Sequence, residues 1–299
     1  MKKLYNLALL LVLPLVTVSC IRDELEDCPP LSLNIKVKDK NYFNVDMVNL
    51  ETRKSEDLPF KEYVPTLHYS LTDVETNEVM FHTDFETVRG DNKEYDVELP
   101  SWLPFGTYAV QVWGGLGNID PIGDDHTTID FHPGNNQGQD VYLTTDTIVY
   151  SPTIHAHSVE LERTKGKLII QLENLPDGME YSEKTVNNLF SSVSSDFSYS
   201  GETFVKTSSH WTGNSTVTKT ILTPSFNNRG SKLEMVIHDG SLLDDNIANN
   251  QLEPYNVSVM LNRNELTVVR YTWNDQQKDF AIYLLVNGNW ECIHGLEVE

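Results

Sequence analysis

Leu31, Leu33, Ile35 and Val37 alternate with Ser32, Asn34, Lys36 and Lys38. Successive side chains of a strand point to opposite faces, so this period of two predicts a strand with one buried face. The same reading over 254–261 puts Tyr255, Val257, Val259 and Leu261 on one face and Asn256, Ser258, Met260 and Asn262 on the other. Further strands are predicted at 66–72, 78–84, 93–99, 107–113 and 140–150, and then at 158–162, 167–173, 216–222, 232–238, 266–273 and 279–286. A polar loop at 49–57, the turn Pro104-Phe105-Gly106 and the loop 114–123 punctuate them. The segment 182–195 reads as weakly helical, although its serines are poor helix formers. Short strands joined by turn-rich loops predict an all-β chain of two consecutive β-sandwich domains, 29–155 and 156–299, joined near 150–159. No repeat of solenoid or propeller length is present.

The N-terminus follows a different pattern. Lys2 and Lys3 precede a predominantly apolar run, 4–18, and Val16-Thr17-Val18-Ser19 leads into Cys20. A run of that length between such flanks is a cleaved export signal rather than a membrane span. The cysteine at the cut marks residues 1–19 as a lipoprotein signal peptide and Cys20 as the lipidation site, with Thr17 departing from the usual leucine. Two or three acyl chains at about 0.8 kcal/mol per buried CH₂ hold a protein on a membrane almost permanently. Residues 20–28 form an acidic tether, with Asp23, Glu24, Glu26 and Asp27 close behind the cysteine. This stretch reads either as a solvated spacer or as an export tag, because it resembles the acidic signal that sends some Gram-negative lipoproteins to the outer face of the outer membrane.

The formal charge of −22 becomes −24 once Lys2 and Lys3 are removed with the signal. Such a surface repels nucleic acid and anionic headgroups, so nucleic-acid partners are excluded and the lipid provides the membrane attachment. Thirteen Tyr, eleven Phe and five Trp mark a folded chain rather than a disordered acidic one. With Cys20 lipidated, Cys28 and Cys292 remain near the two ends of the mature chain. Pairing them would close a long loop and stabilise by about 4 to 5 kcal/mol on the chain-entropy model; whether they pair is left open by the sequence.

Candidate chemistry is sparse. The sequence contains no Gly-x-Ser-x-Gly elbow, no His-Glu-x-x-His pair and no phosphate-cradling Gly-x-x-x-x-Gly-Lys, so neither an enzyme nor a cofactor is expected. His155 and His157 lie two apart and would share a strand face, but two histidines do not make a metal site and none is assigned. Asp124, Asp125, His126, Asp130 and His132 lie in an Asn- and Gly-rich stretch without the calcium-loop spacing, and read as a solvated acidic loop. Among the tryptophans, Trp113 has apolar strand neighbours and reads as core. Trp211, between His210 and Thr212-Gly213, reads as the better surface contact for a sugar.

Several pieces in order resemble the fimbrial anchor and minor-subunit lipoproteins of the type V pilus system. They are Ser19-Cys20-Ile21-Arg22-Asp23-Glu24-Leu25-Glu26-Asp27-Cys28-Pro29-Pro30 before an alternating strand; Leu103-Pro104-Phe105-Gly106-Thr107-Tyr108 running into Val112-Trp113-Gly114-Gly115; Val159-Glu160-Leu161-Glu162-Arg163 before Lys167-Leu168-Ile169-Ile170; and Val286-Asn287-Gly288-Asn289-Trp290. The resemblance implies transthyretin-like sandwiches and a non-catalytic surface subunit that anchors or caps a filament. Its partners would be stalk or accessory pilins, joined by β-strand addition, and the outer membrane, held through Cys20. It makes Leu31, Leu33, Ile35 and Val37 the candidate first strand for strand exchange, and Arg53, in the basic pair Arg53-Lys54, a possible site for a trypsin-like protease, with an ordinary exposed loop as the other reading. The short acidic tail after Trp290 leaves donor and acceptor roles, and base and tip positions, open. The alternative function is a glycan-binding surface lipoprotein of a nutrient-uptake system.

Overall fold

The computed structural model describes residues 29–117, 122–123, 127–239 and 251–295. Through the first half of the chain run β1 (Ser32–Val37), β2 (Thr66–Asp73), β3 (Val79–His82), β4 (Glu86–Thr87), β5 (Tyr95–Glu98), β6 (Gly106–Gly114), β7 (Thr128–Asp130), β8 (Tyr142–Tyr150) and β9 (Ala156–Arg163). The second half supplies β10 (Gly166–Glu173), β11 (Met179–Ser194), β12 (Tyr199–His210), β13 (Thr216–Leu222), β14 (Ser231–Asp239), β15 (Gln251–Leu252), β16 (Val257–Val259), β17 (Leu266–Asn274), β18 (Asp279–Val286) and β19 (Asn289–His294). The chain is all-β, as its alternation predicts, and its strands form sandwiches.

In the first sandwich the strand order is β3-β2-β6-β8-β9-β1-β5, with β4 also on β2. β8 and β9 meet at two register positions, Tyr142 with Arg163 and Leu143 with Glu162, and the sheet folds over at that corner. Leu33, Ile35, Val159 and Leu161 from one layer and Leu67, Leu71, Val110 and Ile148 from the other then share one buried core. The second sandwich packs β13-β10-β17-β18-β19 against β12-β11-β14-β15, around Leu168, Ile170, Leu233, Ile237, Val269 and Phe280.

Two differences from the sequence reading have clear physical causes. The segment read as weakly helical belongs to β11, which pairs with β12, β14 and β7. Its buried positions, Ser182, Lys184 and Val186, alternate as a strand requires. A bulge then shifts the register between Val186 and Leu189, with Asn188 at φ 58°, and this shift breaks the period that would have marked the strand. The second difference concerns 158–162, grouped by sequence with the second unit. It lies in β9, which runs parallel to β1 in the first sandwich, so the chain crosses between sandwiches at Thr164 and Lys165. Where β10 starts, Gly166 has no room for a side chain, since a Cβ would lie 2.2 Å from the Asn262 carbonyl oxygen.

The two sandwiches are interlocked rather than strung together. After β1 the chain runs as a strap across the outer face of the second sandwich, where Tyr42, Val45 and Val48 pack on Ile169, Leu266 and Val268. The Asn44 side chain clamps the backbone of Leu266 in both directions, donating to its carbonyl at 2.9 Å and accepting from its N–H at 2.9 Å. In return β7 adds to the edge of β11, and Trp113, Ile129, Phe131, Leu143 and Val193 form a buried cluster between the two halves.

Candidate strand-exchange site and its surroundings

β1 occupies the centre of its layer. Its residues 32–37 pair in parallel with β9, and Ser32 to Ile35 pair antiparallel with β5. The ladder continues past both ends: the Ser32 N–H donates to the His155 carbonyl at 2.8 Å, the Lys38 N–H to the Leu161 carbonyl at 2.9 Å, and the Leu99 N–H to the Leu31 carbonyl at 2.8 Å. Leu31, Leu33 and Ile35 are fully buried and Val37 is 5% exposed, so the predicted apolar face is the face on the core. The outer face carries Asn34, which donates to Asp96 at 2.7 Å, and the surface ion pair Lys38–Glu162 at 2.7 Å. Such pairs add at most about 1 kcal/mol, so the strand is held by its four apolar side chains and its backbone. Upstream, the Tyr150 hydroxyl donates to the Pro29 carbonyl at 3.2 Å and fixes where the chain enters.

The lipidation site Cys20, the tether and Cys28 lie outside the described residues, as do Asp124, Asp125, His126 and the tail 296–299. Cys292 is exposed on the edge strand β19. Among the described residues no helix is long and apolar enough to cross a membrane. Arg53 lies on the exposed part of the strap, paired with Asp46 at 2.7 Å and Glu56 at 3.1 Å. Its neighbour Lys54 is tied by its N–H to the Asn41 side chain at 2.8 Å. The segment before Arg53 is held by β1 and by the buried strap residues, so a nick after Arg53 severs no packed element. Limited trypsin cleavage there is expected to leave both fragments in one particle on gel filtration, separating in urea; fragments that separate in native buffer would show the strap to be weakly held.

His155 and His157 are half-buried beside the start of β1, and His157 Nε2 lies 2.8 Å from the Val149 carbonyl. Neither is joined by a third ligand, since no group of three His, Cys, Asp or Glu that could hold a metal occurs among the described residues. His132, read as part of a solvated loop, is in fact buried: Nδ1 lies 2.9 Å from the Asn136 carbonyl and Nε2 lies 3.2 Å from the Thr223 hydroxyl. Burial, helped by the nearby Lys165 charge, pulls its pKa down to about 3, so it is a neutral connector between the two halves. Trp113 is core, as expected. Trp211 is not the expected surface contact: it is 8% exposed and packs in the second core, just past the end of β12, where its backbone N–H donates to the Glu180 carbonyl at 2.9 Å. The exposed tryptophan is Trp102, set edge-on to Phe81.

The likeness to known proteins is one of structure. No family model and no curated protein matches the chain. A candidate adhesin from Bacteroides ovatus superposes with a TM-score of 0.58 at 16% identity, covering 93% of this chain and 98% of that one. A second candidate adhesin, from Bacteroides thetaiotaomicron, gives 0.58 at 15% identity over 90% of this chain and 100% of that one. A candidate polysaccharide-binding protein of the same species gives 0.56 at 13% identity over 88% and 98%. At these identities the likeness establishes a shared fold that runs through both sandwiches.

Sequence reasoning missed one concentration of polar chemistry. At the seam where the edge strands β12 and β13 of the facing sheets approach each other, Lys184 rises from β11 into the sandwich. It is 3% exposed, and its ammonium donates to Thr218 Oγ1 at 2.8 Å and Ser209 Oγ at 3.2 Å. Burial without a carboxylate lowers its pKa to about 8. Between that value and the unfolded value of about 10.4 the unfolded chain binds the extra proton, so stability rises with pH across the window. In Lys184→Met this rise, on the order of 3 kcal/mol in the parent, is expected to vanish; melts at several pH values measure it. Parallel pH profiles for the two proteins would contradict the assignment.

Proposed function

We propose that this chain is a non-catalytic cell-surface lipoprotein subunit of a fimbria, anchored in the outer membrane through Cys20 and joined to neighbouring pilins by β-strand addition. The observation that carries the reading is the position of β1. The lipidated tether leads within a few residues into a strand hydrogen-bonded on both sides and buried along one face. Load on the lipid is therefore taken in shear by two ladders at once, which suits an anchor. With β1 in place the groove between β5 and β9 is filled, so as it stands the chain meets its partner with another edge. If β1 leaves, the same groove becomes an acceptor for a strand from a neighbour. The resemblance to type V pilus anchors at the N-terminus and at the strand turns supports the assignment. So does the fold shared with proteins described as candidate adhesins.

Metabolic labelling with a palmitate analogue tests the attachment. The label is expected on the parent chain and absent from Cys20→Ser, whose cells are expected to shed filaments into the medium. Filaments that remain cell-bound in Cys20→Ser would refute the anchoring role.

A further inference from the structure

The β12–β13 seam holds an open cavity lined by polar side chains. Its cavity, about 390 Å³, falls within the usual range for small-molecule sites. Lys184, Lys206 and Lys219 line it, together with Asn136 and Gln137 from the first half of the chain. The remaining lining is hydroxyl-bearing, with no apolar side chain. Lys219 shares Glu51 with Lys167, at 2.8 and 2.9 Å, while among the described residues neither Lys184 nor Lys206 forms an ion pair. A local excess of positive charge thus sits in a chain of net charge −22, where carboxylates to neutralise it are abundant elsewhere.

The buried ammonium is the decisive feature. Burying a charge without a counter-ion is costly, and proteins normally pair it. Lys184 has three protons to donate and two hydroxyl partners, so its inward-facing charge is left to be met by something that enters the pocket. The lining narrows what that is. An apolar ligand or peptide side chain finds little apolar surface, whereas the amides and hydroxyls match the hydroxyl groups of a sugar.

We propose that this seam binds a carboxylate-bearing sugar, a uronic acid unit of an acidic polysaccharide, with the carboxylate on Lys184 and Lys206 and the ring hydroxyls on the surrounding amide and hydroxyl side chains. The three lysines stand on β11, β12 and β13, none of which pairs with β1. Failure of the sugar test and failure of the strand-addition reading are therefore separate results.

The test titrates the full chain with galacturonate and glucuronate oligosaccharides, the matching neutral galactose and glucose oligosaccharides, and inorganic sulfate, read by calorimetry and ligand-observed NMR. The uronates are expected to bind saturably, with the neutral sugars and sulfate at least tenfold weaker. Lys184→Met and the exposed Lys206→Gln are each expected to weaken uronate binding at least tenfold while still melting cooperatively. Lys206→Gln guards against misfolding, since its side chain leaves no core position empty. Absence of uronate binding, equal binding of neutral sugar or of sulfate, or binding that survives both substitutions would overturn the proposal.

Discussion

A chain lacking residues 29–37 is expected to lose the cooperative unfolding of its first sandwich, and to regain it when a synthetic peptide of residues 29–40 is added. The deletion removes Leu31, Leu33 and Ile35, fully buried, and Val37, 5% exposed. At about 1.5 to 3 kcal/mol for each fully buried aliphatic side chain, the loss sums to roughly 6 to 12 kcal/mol, comparable with the whole stability of a typical domain. The deletion also strips the inner edges of β5 and β9 of their partner. Those edges and the apolar trough between them are what a returning strand needs: backbone groups in register and pockets at alternate positions. Dye binding to exposed apolar surface should rise on deletion and fall on peptide addition, with near-ultraviolet circular dichroism restored. A truncated chain that melts like the parent and ignores the peptide would show that β1 is dispensable, and strand exchange at this site would be ruled out.

The second large effect is expected at Arg163. Its guanidinium, 5% exposed, reaches Asp140 at 2.9 Å and donates to Asn264 Oδ1 at 2.7 Å and to the Tyr142 hydroxyl. It also lies between the rings of Tyr42 and Tyr142, at 4.1 and 5.0 Å from their centroids. These partners come from the strap, from the corner of the first sandwich and from the turn before β17, so one side chain holds three segments of the chain together. Arg163→Met leaves the Asp140 carboxylate without its cation and is expected to cost about 3 to 5 kcal/mol, the usual loss when one member of a buried pair is removed. Arg163→Lys should recover little, because an ammonium cannot reproduce the planar fork. Denaturant melts of both variants measure the effect, and a loss below about 1 kcal/mol in Arg163→Met would remove Arg163 from its place at the junction.

How much of this was legible in the sequence depended on how regularly each strand repeats. β1, β10 and β17 show their buried positions in the amino-acid pattern, and the apolar face proposed for strand exchange is the face the alternation predicted. β11 was obscured by a bulge, and β12 by its run of small polar residues, which pack at the seam instead of building a core. β9 was placed with the wrong neighbours because its partner β1 lies 124 residues earlier in register, and local sequence carries no record of a parallel pairing at that distance. Trp211 misled because its polar neighbours, His210 and Thr212, describe a strand end and a turn but not the core into which the ring folds back. Nothing in the local sequence marks Lys184 as buried. Only the approach of Thr218 and Ser209, from other strands, reveals it as buried.

The central claim, an anchor joined to pilins by strand addition, is tested most directly by solubilising outer membranes in detergent, isolating the chain and running it in SDS with and without heating. Strand-added assemblies resist SDS because a whole backbone ladder must be broken at once. A ladder of higher bands that contains pilin-type subunits and collapses to the monomer on boiling is the result this account predicts. A lipidated chain that runs as a monomer in both lanes, with no pilin recovered, would contradict it.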